Sequence, residues 1–244
     1  MTLFDLVLYN GEDDVLECRL WELAEAVDVM VILEGDHTFT GKPKERKSRE
    51  RFAPWADLIH WVDFQTPTGE NAWAVETATR NHLLQVADGL GCDPSDVVTI
   101  CDVDEIWSPT MVSAFAEEPC AVMMRHLAMS VFWELPLELT CVAGQRRNVG
   151  PTADQFRRNR GSHRRLVGGW HVSWMGGEEW CANKIKAFSH QELNQGNVEA
   201  AMIDCHRHGR FVHGEPYNEV KVTEDWPRWI RAGKAPESWY RRRS

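Results

Sequence analysis

The run Val97-Val98-Thr99-Ile100-Cys101-Asp102-Val103-Asp104-Glu105-Ile106-Trp107, VVTICDVDEIW, decides the fold class. Its first five residues are apolar or β-branched without a polar alternation, the mark of a strand covered on both faces of a parallel sheet. Three carboxylates then follow within four residues, Asp102, Asp104 and Glu105. Anions crowded at a strand end repel one another, so they either stand in water or face a cation.

Upstream the same kind of strand recurs. FDLVLY (4–9) reads as a first buried strand, and NGEDD (10–14) as a turn that opens a helix. Leu16, Leu20, Leu23, Ala24 and Val27 recur at helical spacing and put one face of that helix on a sheet. DVMVILEG (28–35) is a second continuous strand carrying Glu34 at its end, 36–52 is a basic loop, and DLIHWVDF (57–64) is a third strand. A helix over 71–90 stops at Gly89 and Gly91, with Pro94 beyond. This succession predicts an α/β domain with a mainly parallel central sheet. Open α/β sheets bind ligands outside the carboxyl ends of their strands, where Glu34, Asp102 and Asp104 all fall.

The second half is less regular. Strand-like pieces occupy 120–135, an arginine-rich connection 145–166, a Trp/His segment between glycine pairs 168–177, and helical stretches 183–209. The tail from Asp225 is expected to hug the surface or to be partly loose. No internal repeat or low-complexity linker divides the chain, which predicts one continuous domain.

Across 244 residues, 27 Lys and Arg against 37 Asp and Glu give a net charge of -10, so charge alone predicts no nucleic-acid partner. No apolar run approaches the roughly 20 residues that span a bilayer, and the start lacks a signal-peptide pattern, which together predict a soluble, cytoplasmic protein. Seven cysteines without a CxxC pair predict free thiols rather than a zinc ribbon or a disulfide framework. Of twelve tryptophans, most belong to the core, while some suit flat platforms for sugars or bases.

Asp102 and Asp104, at i and i+2 of an extended chain, share a face and suit a hard divalent cation that bridges phosphate oxygens of a nucleotide. Such a pair also arises by chance in an acidic chain, as a solvated turn. GGWHVSW (168–174) adds His171, a structural histidine or a ligand that completes the carboxylate site. His190 in FSHQE competes for that place. The histidines of CHRH (205–208) with His213 match no standard zinc spacing.

Taken together, DVVTICDVDEIW, the segment from FDLVLYNGEDD to GDHTFTGKPK, WAVETATRN, and GGWHVSW with KIKAFSH resemble glycosyltransferase family 17 from about Phe4 to about His190. The resemblance implies a GT-A type nucleotide-sugar fold over 1–244, with a nucleotide-binding half to about 110 and an acceptor half beyond. It implies a UDP-linked N-acetylglucosamine donor, Mn2+ or Mg2+, an acceptor hydroxyl on a glycan or other molecule, and inversion at the anomeric carbon. The alternative is a non-catalytic sugar-binding module of the same fold. Matched by motif, Asp102, Asp104 and His171 would hold the metal. Arg19, with Glu22 beside it, Glu34, Arg80, Asn81 and Asp102 would serve the donor, and Lys184, Lys186 and arginines between Arg146 and Arg165 the diphosphate. An inverting transfer needs a base, for which Glu179, then Glu134 and Glu178, are the candidates. Glu105 reads as a supporting partner. The family's Golgi members carry an anchor and stem that have no counterpart in this sequence, so a secretory N-glycan acceptor is not expected.

Overall fold

The computed structural model describes residues 1–69, 71–212 and 214–241, so His213 lies outside the described residues. The strand and helix succession of the first hundred residues is as expected: β1 (Leu3–Tyr9), α1 (Asp13–Leu23), β2 (Val29–Gly35), β3 (Ile59–Phe64), α2 (Ala72–Gly89) and β4 (Val97–Asp102). Then come β5 (Glu105–Ile106), α3 (Val112–Glu117), β6 (Cys120–Ala128), β7 (Trp133–Gln145), α4 (Arg146–Val149) and α5 (Ala153–Arg158). β8 (Arg164–Ser173), α6 (Glu178–Ala187), α7 (Val198–His208), β9 (Asn218–Glu219) and α8 (Arg228–Arg231) complete the order.

All nine strands join one mixed sheet in the order β3-β2-β1-β4-β7-β6-β8-β5, with β9 on β7. The four amino-terminal strands are parallel to one another. β7 enters antiparallel to β4 and to β6, because the short link 129–132 between β6 and β7 leaves no room for a crossover. Apart from Asp5, whose carboxylate is paired with Arg19, both faces of β1 are apolar because both are covered. Leu3 and Val7 pack with Leu16, Leu20 and Leu23 of α1 on one face, and Phe4, Leu6 and Leu8 with Leu83 and Leu84 of α2 on the other.

A third, smaller core around Trp133, Trp174 and Met202 seats α6 and α7 beside the sheet. Over its described residues, to Arg241, the tail is not loose. Trp226, Trp229 and Trp239 are buried in the first core, and Arg228 donates from its backbone to Glu22 and from its guanidinium to the Trp21 carbonyl. Three large aromatics offset the entropy of fixing a terminal segment, which a reading by polarity alone undervalues. All seven cysteines are free, and among the described residues no helix is long and apolar enough to cross a membrane.

The glycine pair before His171 has a steric task. β5 pairs with β8 so that Glu105 faces His171 and Ile106 faces Trp170, and the Val172 amide donates to the Asp104 carbonyl at 2.8 Å. Gly169 has φ +85°, and a Cβ there would stand 2.3 Å from the Ile106 carbonyl oxygen and 2.8 Å from the Trp107 Cα. Gly169→Ala is therefore expected to destabilise the protein by at least about 2 kcal/mol through the left-handed backbone and the backbone clash. Urea denaturation measures this, and a loss below about 0.5 kcal/mol would refute the close approach.

Candidate active site

At the carboxyl ends of β1, β2 and β4 the surface opens into two joined recesses. One, of about 170 Å³, is lined by Tyr9, Asn10, Glu12, Gly35 and His37. The other, of about 560 Å³, is lined by Trp73, Arg80, His126, Glu138, Arg157 and Trp174. Glu76, Asp102, Asp104, Lys184, Phe188 and His190 line both.

The three carboxylates of the opening motif have separate surroundings. Asp104 is buried, with Oδ2 accepting from Lys184 Nζ at 2.9 Å and Oδ1 3.6 Å from His171 Nε2. Burial pushes its carboxyl up, but Lys184 first and His171 next outweigh this and hold it well below the usual range. Burial also opposes the charge on His171, yet Asp104 and then Glu138 raise its pKa to about 10. Lys184 is likewise raised by Asp104 and Glu12 against burial.

Asp102 is half exposed and accepts from Arg157 at 3.0 Å and from Arg80 at 3.2 Å. Burial works against its charge, and Arg157, then Arg80, bring its pKa below the usual range. Glu105 points inward. Its carboxylate takes a forked pair of bonds from Arg157, at 2.6 and 2.7 Å, and accepts from the Asp102 amide at 2.9 Å. It thus supports the turn that presents the two aspartates.

Oδ1 of Asp104 and Nε2 of His171 are too far apart for a hydrogen bond. Their 3.6 Å separation suits two donors flanking one cation at roughly 2.1 Å each. His171 Nδ1 meets Glu138 Oε2 at 2.8 Å, the carboxylate support usual for a metal-bound histidine. The donor set therefore fits a divalent cation, with the half-exposed Asp102 alongside.

Three of the residues expected to serve the donor, Arg19, Glu34 and Asn81, do not line either recess and have partners within the protein. Arg19 is completely buried, its guanidinium committed to Asp5 at 2.6 and 2.8 Å and to the Glu105 carbonyl at 2.6 Å. Glu34 is buried beside the smaller recess and paired with Arg49 at 3.1 Å. Asn81 accepts from the Asp154 amide at 2.9 Å and ties α2 to α5. Arg80 and Lys184 do line the cleft.

None of the three base candidates borders it. Glu179 is exposed on α6, Glu134 pairs with Arg125 at 2.6 Å, and Glu178 pairs with Arg241 and lies 3.5 Å from His206. His190 lines both recesses, but its Nδ1 is 2.6 Å from Glu192. Lys186 pairs outward with Glu199, whereas Arg157, Arg158 and Arg160 of the arginine-rich connection reach the wider recess.

Sequence reasoning passed over His126, Glu138, Glu76 and Glu12. His126 stands in register with His171 across β6 and β8, and Glu138 comes from β7, so no local motif links them. Glu12 is held above the usual carboxylate range by burial, against the pull of Lys184. Trp73, at 44% exposure, is the one exposed tryptophan, the others being buried or half-buried. It stands edge-on to His190 at the mouth of the wider recess.

A family model described as Glycosyltransferase family 17 matches residues 1–203. The human beta-1,4-mannosyl-glycoprotein 4-beta-N-acetylglucosaminyltransferase is 29% identical over 209 aligned residues, which cover 68% of this chain and 39% of the human protein. The rat protein of that name is 29% identical over the same share of this chain and 38% of its own length, and the mouse protein is 28% identical. The chain thus spans about two fifths of the length of these curated relatives.

Proposed function

This chain belongs to glycosyltransferase family 17, and from that premise we propose a GT-A type enzyme that moves N-acetylglucosamine from UDP to an acceptor hydroxyl, with a divalent cation and inversion. The observation that carries this is Asp104, held between Lys184 and His171 on the wall common to both recesses. The transferred sugar is the one for which the mammalian relatives are named.

Asp104, His171 and Asp102 would hold Mn2+ or Mg2+, which when bound neutralises the diphosphate and eases the departure of UDP. Lys184 keeps its proton and supplies a fixed positive charge beside the same oxygens. Arg80 and Arg157 hold Asp102 in place from behind. The smaller recess, at the ends of β1 and β2, takes the nucleoside, and the wider one the acceptor.

Apart from the two aspartates, Glu76 is the one carboxylate among the described residues that lines both recesses. One of its oxygens accepts from Arg80 at 2.6 Å, and the carboxylate at this junction takes the proton of the acceptor hydroxyl. Trp73 offers the acceptor a flat apolar face.

UDP release from UDP-N-acetylglucosamine with Mn2+ tests the reading. Wild type turns over, and Glu76→Gln loses about 10²–10⁴-fold in transfer to an acceptor while keeping its affinity for UDP. Mn2+-dependent UDP binding without turnover of any UDP-sugar would favour a non-catalytic binding module. Free phosphate as the product would mark a phosphohydrolase.

A further inference from the structure

Behind His171 lies a partly buried arrangement that no motif announced. Glu138 Oε2 stands 2.8 Å from His171 Nδ1 and 3.0 Å from His126 Nδ1, and the two imidazoles stack at 4.5 Å with planes 23° apart. The three residues come from the adjacent strands β7, β6 and β8, with His126 directly paired with His171, so the backbone itself sets their spacing. We propose that Glu138, backed by His126, is a positioning residue that fixes the tautomer and ring plane of His171 so that its Nε2 lone pair faces the cation at Asp104. The inference rests on the reading of His171 as a cation ligand.

The rival arrangement is a cation held by the triad itself, since ligand atoms of His126, Glu138 and His171 all lie within 4.8 Å of one another. His126 decides between them. Its Nε2 is buried with no hydrogen-bond partner among the described residues. A cation on Nδ1 would force the proton onto Nε2 and bury an unpaired N–H, whereas an Nδ1–H donated to Glu138 leaves only a bare acceptor there. Buried orphan donors are the rarer and costlier defect. Glu138 therefore accepts from both Nδ1–H groups, and the histidine ring that faces Asp104 has one orientation and one tautomer.

Outer partners of this kind commonly change metal affinity by about 10–100-fold. Mn2+ binding to the metal-free protein, followed by the electron paramagnetic resonance of unbound Mn2+, reads this without turnover. Glu138→Leu is expected to weaken binding by about 10–100-fold, and Glu138→Gln, which keeps an acceptor oxygen, by less. The Glu138 side chain is 46% exposed, so both variants should fold, and nitrogen-15 shifts of His171 in the protein loaded with diamagnetic Mg2+ then report the lost tautomer preference. Affinity within about twofold of wild type in Glu138→Leu overturns the positioning role while the cation reading stands. Absent Mn2+ binding in wild type defeats the cation reading and this one with it. Binding that survives Asp104→Ala but not His126→Phe puts the cation in the triad and overturns the proposal.

Discussion

Asp104→Asn is expected to reduce Mn2+-dependent UDP release by about 10²–10³-fold with the fold retained, the scale on which a single stabilising group at developing charge acts. The substitution keeps an oxygen for Lys184 but removes the negative charge that burial otherwise opposes. The same change acts on His171, whose pKa of about 10 depends first on Asp104. A group whose pKa is higher folded than unfolded adds stability that is complete below its ordinary value and lost as pH rises through the folded value. Metal-free wild type should therefore lose stability between about pH 6.5 and about pH 10, and Asp104→Asn should lose less over that window. Urea midpoints near its two ends measure both. A wild-type and a variant that decline in parallel would show that Asp104 does not hold the proton on His171.

The amino-terminal fold was legible because burial on both sheet faces removes the polar alternation from β1, β2 and β4, and because α1 and α2 carry helical spacing. The aspartate pair was legible for a local reason, since i and i+2 share a face of an extended strand. Its meeting with His171 was not local. It depends on β5 pairing with β8 past a glycine that admits the Ile106 carbonyl; imidazole chemistry offered it as one of two readings of His171, and the family resemblance made that reading specific. The base candidates were chosen by adjacency in sequence, and they lie away from the recesses. Glu179 is close to His171 in sequence, but α6 turns Lys184 into the cleft, and five residues of helix put Glu179 about 140° round the axis from it. Glu76, His126 and Glu138 were out of reach because their only relation is spatial.

Arg19→Met should lower stability by about 3–5 kcal/mol, the usual effect of breaking a buried ion pair from one side. A stretch of α1 already indicates why, since Leu16, Arg19, Leu20 and Leu23 form one stripe at helical spacing, and that stripe faces the sheet. Asp5, in the middle of β1, would keep only Thr99 and the Trp107 indole as donors and would remain charged or protonate at a cost. For a chain of this length the expected fall in Tm is about 6–20 °C. Asp5→Leu combined with Arg19→Met should recover most of it, because an apolar pair needs no compensating charge. Arg19 also donates to the Glu105 carbonyl, so the single variant loosens the turn bearing Asp102 and Asp104 and slows transfer without any contact with the donor. A donor-binding arginine predicts the opposite pair of results, a raised KM for UDP-sugar with Tm unchanged within about 2 °C. Thermal unfolding and donor kinetics on the same preparation therefore separate an arginine that holds the sheet to its helix from one that holds the nucleotide.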